Sequence, residues 1–329
     1  MILILTHPDD EHANYVATQL EERGASFVRF NPAEFQRAAA LSFAYTPQGG
    51  SYATLHLGEE HIDLRQLRAV WNRRPEPPVA HETLGDERVR EFVQQECRTF
   101  MQDLWQALDC LWLPAPPATV RQTQYKASQL QVAGQLGFDV PPTLITNNAP
   151  DLLDFYSEHQ GKIVSKLAGF SFFDTVGDTF TRYTEMVTPR DLAYARSLRY
   201  CPMIFQAYVP KRLELRVTVV GQRVFAAAIH SQSSNHTRYD WRRYDDYQTP
   251  YLPYDLPHDV QQRCVALVER LGLCYGALDL VLTPDGRYVF LEINPSGQYL
   301  WIEVATGLPI TAALCELLIQ GAPVTRAAA

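Results

Sequence analysis

Apolar and polar residues recur along the chain with two different periods, and the changes of period predict its first elements. The run "MILILT" is typical of a short apolar β-strand, and "HPDDEHANYVATQLEERG" has the spacing of a helix that ends at Gly24. "ASFVRFNP" predicts a second strand, "YATLHLG" and "HIDLRQL" a hairpin, and "RAVWNRRP" a further strand. A long helix follows, because apolar residues recur at helical spacing: Val89, Phe92, Val93, Cys97, Phe100, Leu104 and Leu108.

These elements divide the chain into three expected lobes. The first is an α/β lobe over residues 1–115, bounded by the proline-rich stretch "LPAPPATV". Residues 116–203 make a central lobe with a helix "RQTQYKASQLQVAGQLG", a strand "KIVSKLAG" and a short helix "TPRDLAYARSLRY". Residues 204–329 make a C-terminal lobe of β-strands, a helix "DVQQRCVALVERLG" and a C-terminal helix. The predicted fold class is α/β, with α+β lobes.

The end of the last β-strand, "LEINPSG", carries an unusual polar pair. Successive side chains of a strand point to opposite faces, so Glu292 and Asn294 share one face. Leu291 and Ile293 then point the other way, into the expected core. A carboxylate and an amide oxygen at a strand end suit Mg²⁺, which prefers oxygen ligands.

A third oxygen ligand comes from the strand before it. The turn "TPDG" joins "ALDLVL" to "RYVFLEIN", with Pro and Gly where a type I turn favours them. If Leu282 pairs with Arg287, then Asp279 lies opposite Phe290 and on the same face as Glu292 and Asn294. The sequence therefore predicts a magnesium site on this hairpin. The alternative is an edge hairpin whose polar face is only solvated.

Composition narrows the possible partners and location. The chain has 329 residues and a formal net charge of −8, so it has no overall basic field for nucleic acid. Its six cysteines form no C-x-x-C motif, and their spacing indicates neither a zinc site nor a disulfide framework. The N-terminus lacks a basic signal-peptide region, and no apolar run is long enough for a membrane span. We therefore expect a cytoplasmic protein without a nucleic-acid or membrane partner.

Two lysines are candidates for phosphate binding. Lys126 lies on a predicted helix, and Lys166 lies in the apolar strand "KIVSKLAG". Glu214 and Arg216 occupy alternate positions of the strand "LELRVTVVG" and share a face. The alternative for each lysine is a structural role, and for Glu214 and Arg216 a surface ion pair of little energetic value.

The order of these motifs resembles the ATP-grasp superfamily, and more closely the graspetide (microviridin-type) peptide macrocyclases. The segments that resemble this family are "VWNRRP", "PMIFQAYVP", "ELRVTVVG", "DWRRYD" and "LEINPSGQYLWIE", and the resemblance covers nearly the whole chain. It implies an ATP-grasp fold, with an N-terminal pre-ATP-grasp lobe before the central and C-terminal lobes.

The resemblance also implies a nucleotide site between the central and C-terminal lobes. Lys126 and Lys166 would contact the phosphates of ATP, and Glu214 would bind the ribose hydroxyls. The backbone of the adenine hinge would be Gln206, Ala207, Tyr208 and Val209. Mg²⁺, usually a pair of ions in this superfamily, would be held by Asp279, Glu292 and Asn294. Arg216, together with Arg238 or Arg242, would lie near the transferred phosphate or the acceptor carboxylate.

The implied substrate is a ribosomally made precursor peptide with a leader segment. An Asp or Glu side chain would be activated as an acylphosphate, which Ser, Thr or Lys of the same peptide would attack to form an ester or amide ring. Arg73 and Arg74 would bind the acidic peptide, with a solvated strand end as the alternative. The helix around Asp191–Tyr200 would dock the leader, and residues 170–180, "FSFFDTVGDTF", would form a lid, with ordinary packing and a surface hairpin as the alternatives. Relatives also imply a homodimer.

Two other functions compete with this interpretation. A ribosomal-protein glutamate ligase or an amino-acid ligase would share the fold, the metal site and the acylphosphate chemistry. A catalytically silent nucleotide-binding or peptide-docking protein would keep the fold alone. The presence of Asp279, Glu292 and Asn294 argues against the silent protein, because loss of activity would remove such ligands first.

Overall fold

The computed structural model describes residues 1–47, 51–167, 172–175, 178–181, 183–243 and 249–321. Helices and strands alternate through these residues, and the strands form separate sheets, which confirms the α/β class. The six cysteines form no disulfide. No helix in these ranges has the length and apolar character needed to cross a membrane.

The N-terminal lobe is built on a parallel four-stranded sheet beside a smaller antiparallel one. Its strands are β1 (Ile2–Thr6), β2 (Phe27–Phe30), β3 (Ala39–Tyr45), β4 (Ser51–Leu57), β5 (Glu60–Asp63), β6 (Ala69–Arg74) and β7 (Leu111–Leu113), and its helices are α1 (Glu11–Glu22), α2 (Phe35–Ala38) and α3 (Glu87–Ala107). The parallel order is β2-β1-β6-β7, and β3-β4-β5 form the antiparallel sheet. Strand β3 was not predicted, since its described side chains are only partly buried and its apolar signal is weak.

The predicted apolar stripe of α3 is buried in only part of the helix. Met101, Leu104 and Trp105 enter the core of the lobe. Val89 is 45% exposed and Phe92 is 65% exposed. The spacing correctly predicted the helix, but it did not show which turns would be covered by the sheet.

The central lobe contains the helices α4 (Pro117–Thr123), α5 (Lys126–Gln135), α6 (Ala149–Glu158) and α7 (Pro189–Leu192), and the strands β8 (Thr143–Thr146), β9 (Ile163–Lys166), β10 (Phe172–Thr175), β11 (Asp178–Thr181), β12 (Glu185–Met186) and β13 (Met203–Ala207). The prediction of a single helix across α4 and α5 is wrong, because Tyr125 is extended and begins a new helix at Lys126. The main sheet has the order β12-β9-β13-β8. It includes β13, which begins at the last residue expected in this lobe, Met203, and continues into the expected C-terminal lobe. The three-lobe division stays a prediction.

The C-terminal lobe is a five-stranded antiparallel sheet flanked by helices. Its elements are β14 (Leu213–Val220), β15 (Arg223–Ile229), β16 (Tyr251–Pro253), α8 (His258–Arg270), β17 (Tyr275–Leu282), β18 (Tyr288–Asn294), α9 (Leu300–Thr306) and α10 (Ile310–Gln320). The strand order is β16-β15-β14-β17-β18. The expected single C-terminal helix is two helices, since Gly307 takes a left-handed conformation with φ +73° and ends α9.

Helix α10 connects the C-terminal lobe to the N-terminal lobe. Its apolar residues Leu314 and Leu318 share a core with Val16 and Leu20 of α1. Tyr275 of β17 and Tyr299 belong to the same core. The last helix thus holds the first strand–helix unit against the sheet that carries the predicted metal ligands.

Candidate active site

A cleft of about 660 Å³ lies between the central sheet and the five-stranded sheet. The residues that line it include most of those predicted for nucleotide and metal binding: Lys126, Lys166, Gln206, Ala207, Tyr208, Val209, Glu214, Arg216, Arg242, Asp279, Glu292 and Asn294. These residues come from α5, β9, β13, β14, β17 and β18 and from the segments beside them. The fold therefore brings together residues that are far apart in sequence.

The three predicted metal ligands converge at one end of the β17–β18 hairpin. Asp279 lies directly opposite Glu292, and Asn294 lies opposite Ala277. The Asn294 amide nitrogen is 3.4 Å from both Asp279 Oδ2 and Glu292 Oε1. Turning the amide over would place its oxygen there. Three oxygen donors around one point fit Mg²⁺.

The predicted register of this hairpin is wrong by one residue and misses a β-bulge. Leu282 pairs with Tyr288 rather than Arg287, and the register shifts again between Asp279 and Leu280. The bulge leaves Leu291 unpaired, on the wall of the cleft rather than in the core. Bulges next to functional sites often redirect side chains in this way.

Arg216 and Lys126 neutralise the two carboxylates. Arg216 Nη1 donates to both oxygens of Asp279, at 2.9 and 3.0 Å, and Lys126 Nζ lies 2.5 Å from Glu292 Oε2. Burial raises the pKa of Asp279, and Arg216 opposes that rise. Burial also acts to raise the pKa of Glu292, but Lys126, together with Lys166 and Arg242, outweighs it and holds that pKa well below its usual range. Both carboxylates are thus positioned beside cations that stabilise their ionised forms.

Lys166 is a buried cation held by a neutral group. Its Nζ donates to Gln206 Oε1 at 2.6 Å, and it forms no ion pair within the described ranges. Burial, opposed by Glu292, lowers the pKa of Lys166 to about 8. Such a side chain is suited to an anionic group of a ligand, which would restore its ordinary pKa.

The end of β13 has backbone groups that its neighbours leave available. The Ala207 N–H donates to Pro142 O at 2.9 Å, but proline has no N–H to return the bond to the Ala207 carbonyl. The Val209 N–H donates to no backbone carbonyl in the part of the chain that the structure describes. An acceptor and a donor two residues apart fit the edge of an adenine ring.

Glu214 is buried on the wall of the cleft, as the resemblance implied. Its Oε1 lies 3.0 Å from Lys211 Nζ. Burial raises the pKa of Glu214, while Lys211 and Ser231 oppose the rise. The sequence interpretation missed Lys211, although its position three residues before Glu214 on the approach to β14 was a usable signal.

Of the two candidate arginines in the polar loop, only Arg242 lines the cleft. Its Nε and Nη2 donate to the two oxygens of Asp240, at 2.8 and 2.5 Å, which fixes its guanidinium. Arg238 is exposed and is not among the residues that line the cleft, although its side chain lies beside Tyr208, which is one of them. The structure therefore favours Arg242 over Arg238.

The prediction that Arg73 binds an acidic peptide is wrong. Its side chain is 3% exposed, it pairs with Asp10 at 3.2 Å, and it donates to Ser296 O at 2.8 Å. Alternation along β6 turns Arg73 inward and Arg74 toward the cleft. Arg74 alone keeps the predicted placement.

The helix predicted to dock the leader and part of the predicted lid lie within the described residues. In α7, Asp191 Oδ2 accepts from the backbone N–H and the hydroxyl of Thr188, both at 2.7 Å, and completes a capping box. The predicted lid at 170–180 contains the paired strands β10 and β11, but residues 170, 171, 176 and 177 lie outside the described residues. Leader docking and lid closure stay predictions.

Sequence reasoning also missed Gln129, which holds β18 in place. Its side chain donates to Ile293 O at 2.9 Å and accepts from Ile293 N at 3.2 Å. It also donates to Thr123 O at 2.6 Å. A glutamine in a helix carries no signal for this role, because the contact spans 164 residues.

Comparisons with known proteins find the same fold over nearly the whole chain. The family described as the MvdD pre-ATP-grasp domain matches residues 1–119. The macrocyclase MdnC from Microcystis aeruginosa MRC, solved with its precursor peptide MdnA, is 32% identical, with 97% of this chain and 98% of that chain covered at a TM-score of 0.83. No curated protein matches the sequence.

Two further solved structures are similar over the same length. The macrocyclase MdnB from Microcystis aeruginosa MRC is 34% identical, with 96% of this chain and 98% of that chain covered at a TM-score of 0.77. A RiPP-associated ATP-grasp ligase from Chryseobacterium gregarium, solved with ADP and leader and core peptides, is 28% identical, with 98% and 99% covered at a TM-score of 0.89. The chain has the ATP-grasp fold, is an enzyme of the ATP-grasp ligase type, and belongs to the family of RiPP-associated ATP-grasp macrocyclases.

Proposed function

We propose that this enzyme uses ATP to activate Asp or Glu side chains of a ribosomally made precursor peptide as acylphosphates. A Ser or Thr hydroxyl, or a Lys amine, of the same peptide then attacks to close an ester or amide ring, with release of ADP and phosphate. The proposal is supported by the lining of the cleft, which includes both the residues predicted for the nucleotide and the arginines Arg74 and Arg242, predicted for carboxylates. It is also supported by the likeness to MdnC, which was solved with a precursor peptide.

The nucleotide half of the cleft would hold ATP. The Ala207 carbonyl and the Val209 N–H would bind the adenine edge, and Glu214 the ribose hydroxyls. Lys126 and Lys166 would bind the phosphates, which is consistent with Lys166 having a neutral amide as its partner. When bound, Mg·ATP supplies the phosphoryl group, and the cation neutralises the charge that develops on its oxygens.

The chain's own residues would position the groups that react. Asp279, Glu292 and Asn294 would hold the cation, because they bring together three side-chain oxygen donors of the kind that Mg²⁺ prefers. Arg216 would keep Asp279 in place, and Arg242 would face the transferred phosphate or the acceptor carboxylate. The number of magnesium ions stays a prediction.

The peptide would enter from the side of Arg74. Arg74 and Arg242 line the same cleft, and arginine matches carboxylates with two parallel hydrogen bonds. The exposed segment around α7 would dock the leader; Tyr194 and Tyr200 are 67% and 76% exposed there. Homodimerisation and a cytoplasmic location stay predictions.

The observation that carries the proposal is the convergence of Lys126, Lys166, Asp279, Glu292 and Asn294 in one cleft. The experiment is to incubate the enzyme and Mg·ATP with an acidic, Thr/Ser-rich peptide encoded next to its gene. Intact-mass spectrometry should show the loss of one water for each cross-link, with stoichiometric ADP. Tandem mass spectrometry should then give no fragment ions from backbone cleavage inside a ring, because the cross-link still joins the two parts. A gain of one amino-acid mass would instead support an amino-acid ligase.

A further inference from the structure

The N-terminal lobe reaches into the segment that directly follows the predicted metal ligand Asn294. This segment, residues 295–299, is here called the connecting loop, because it joins β18 to α9. Arg73 of β6 donates from Nη1 to the Ser296 carbonyl at 2.8 Å. Arg73 is itself paired with Asp10 at 3.2 Å, and both side chains are 3% exposed. A charged pair of one lobe thus fixes a backbone carbonyl of another.

His12 holds the far end of the connecting loop. Its Nε2 accepts from the backbone N–H groups of Tyr299 and Leu300, both at 3.2 Å. Its ring packs edge-on against the Tyr299 ring at 5.1 Å. Burial, with Arg73 nearby, lowers the pKa of His12 to about 4. The ring is therefore neutral near pH 7 and keeps Nε2 free to accept.

Asp10 connects these contacts to the first helix. Its Oδ1 accepts from the backbone N–H groups of His12 and Ala13, at 2.9 and 3.2 Å, as the N-cap of α1. Its Oδ2 accepts from the Thr6 hydroxyl at 3.0 Å. Contacts to β1 and α1 therefore fix the Asp10 carboxylate, and the ion pair with Asp10 in turn fixes the Arg73 guanidinium.

The C-terminal lobe grips the same loop from the other side. Tyr275 donates from its hydroxyl to Gly297 O at 2.7 Å, and Arg216 Nη2 donates to Gln298 O at 3.1 Å. The Gly297 N–H closes a turn on Asn294 O at 3.1 Å. The chain that leaves Asn294 is thus held from both sides, at positions two to six residues after the ligand itself.

Packing alone does not require this arrangement. Burying a charged pair costs desolvation free energy, and apolar residues of similar volume often hold two elements together at least as well. Within this pair, Arg73 donates a hydrogen bond to the Ser296 carbonyl, two residues after the predicted metal ligand Asn294. Groups that orient metal ligands are typically hydrogen-bonded in this way.

We propose that Asp10, His12 and Arg73 are positioning residues for Asn294, so that the N-terminal lobe completes the cation site of the C-terminal lobe. The inference rests on the proposed function, because it assumes that Asn294 binds a cation. The inference gives a role to the "HPDDEH" segment and to Arg73, which take no part in the proposed nucleotide and peptide contacts.

The test separates cation binding from nucleotide binding. Asp10→Asn keeps an equally good N-cap but removes the charge that faces Arg73. Its matched control is Asp86→Asn, the N-cap of α3, which makes the same two backbone contacts away from the connecting loop. Mn²⁺ binding in the presence of ADP is measured by the paramagnetic resonance of the free ion, and ADP binding in EDTA by calorimetry.

Asp10→Asn should raise the dissociation constant for Mn²⁺ about tenfold. This is the lower end of the effects seen when a residue that orients a metal ligand, without binding the metal, is replaced. ADP binding in EDTA should equal that of the parent, and Asp86→Asn should change neither constant. His12→Leu should weaken Mn²⁺ binding in the same way, and His12→Gln, which keeps an acceptor, should restore part of it.

Equal Mn²⁺ affinity in the parent, Asp10→Asn and His12→Leu would overturn the inference while leaving the proposed function intact. A parallel loss of Mn²⁺ and metal-free ADP binding would also overturn it, since that pattern marks general loosening. If the parent itself bound no Mn²⁺ with ADP, the cation site would be wrong, and the proposed function and the inference would both fall.

Discussion

Arg216 and Asp279 face each other across neighbouring strands, β14 and β17, and Arg216 donates to both carboxylate oxygens of Asp279. The two side chains are 6% and 14% exposed. A predicted metal ligand is therefore held before any cation binds. The carboxylate depends on this partner, because an ionised group without one is costly to bury.

Replacing Arg216 with Met should lower the free energy of unfolding by about 3 kcal/mol, since Asp279 is left as a buried, unpaired carboxylate. Urea denaturation of the ligand-free protein measures this. The control is Arg223→Met, which breaks the half-exposed pair with Glu316 and should cost less than about 1 kcal/mol. Equal losses in the two variants would mean that Arg216 does not hold Asp279.

Glu292→Gln should reduce peptide-dependent ADP release on the order of 100-fold, because it removes one charged oxygen from the proposed cation site. The matched control is Glu269→Gln on α8, where the side chain accepts from Gln222 at the surface. That control should leave turnover unchanged. Undiminished ADP release in Glu292→Gln would remove the proposed cation site.

Nucleotide binding should take up protons above pH 7 through Lys166. Its pKa of about 8 in the free enzyme should rise when phosphates bind, because they favour the charged form. Uptake should be greatest between pH 8 and the higher pKa of the complex, and affinity should fall as pH rises above 8. Calorimetry in buffers of different ionisation enthalpy measures the uptake.

Lys166→Met should abolish this uptake, whereas Lys162→Met, at an exposed position four residues earlier, should keep it. Proton uptake that persists in Lys166→Met would assign the linkage to another group.

Gly297→Ala should destabilise the protein by about 1–3 kcal/mol, the usual cost of overpacking. A Cβ at Gly297 would lie 2.5 Å from the Ala277 Cβ and 2.8 Å from Arg216 Nη2. Thermal melting of the free protein measures the change. Gly134→Ala in α5 should act in the opposite sense, by about 0.5–1 kcal/mol, since its Cβ meets only Val140 at 3.9 Å. A Gly297→Ala protein as stable as the parent would contradict this prediction and show that the connecting loop shifts to accommodate the added methyl group.

Local patterns alone were enough to predict several features of this protein. Period-two alternation places Glu292 and Asn294 on one face wherever the strand lies, and 3.6-residue spacing predicts α3 and α8. The apolar strand around Lys166 indicated a cation in unusual surroundings. These inferences hold because backbone geometry relates each residue to its near neighbours.

Other features were decided only by tertiary structure. The bulge that turns Leu291 into the cleft, the burial of Arg73 against Asp10 and the exposure of Phe92 all depend on which element packs opposite. The periodicity of a helix or strand sets the face on which a residue lies. An element distant in sequence decides whether that face meets core, cleft or solvent. The sequence alone therefore determined the donor atoms of the candidate site, and the packing of elements distant in sequence determined which of them meet.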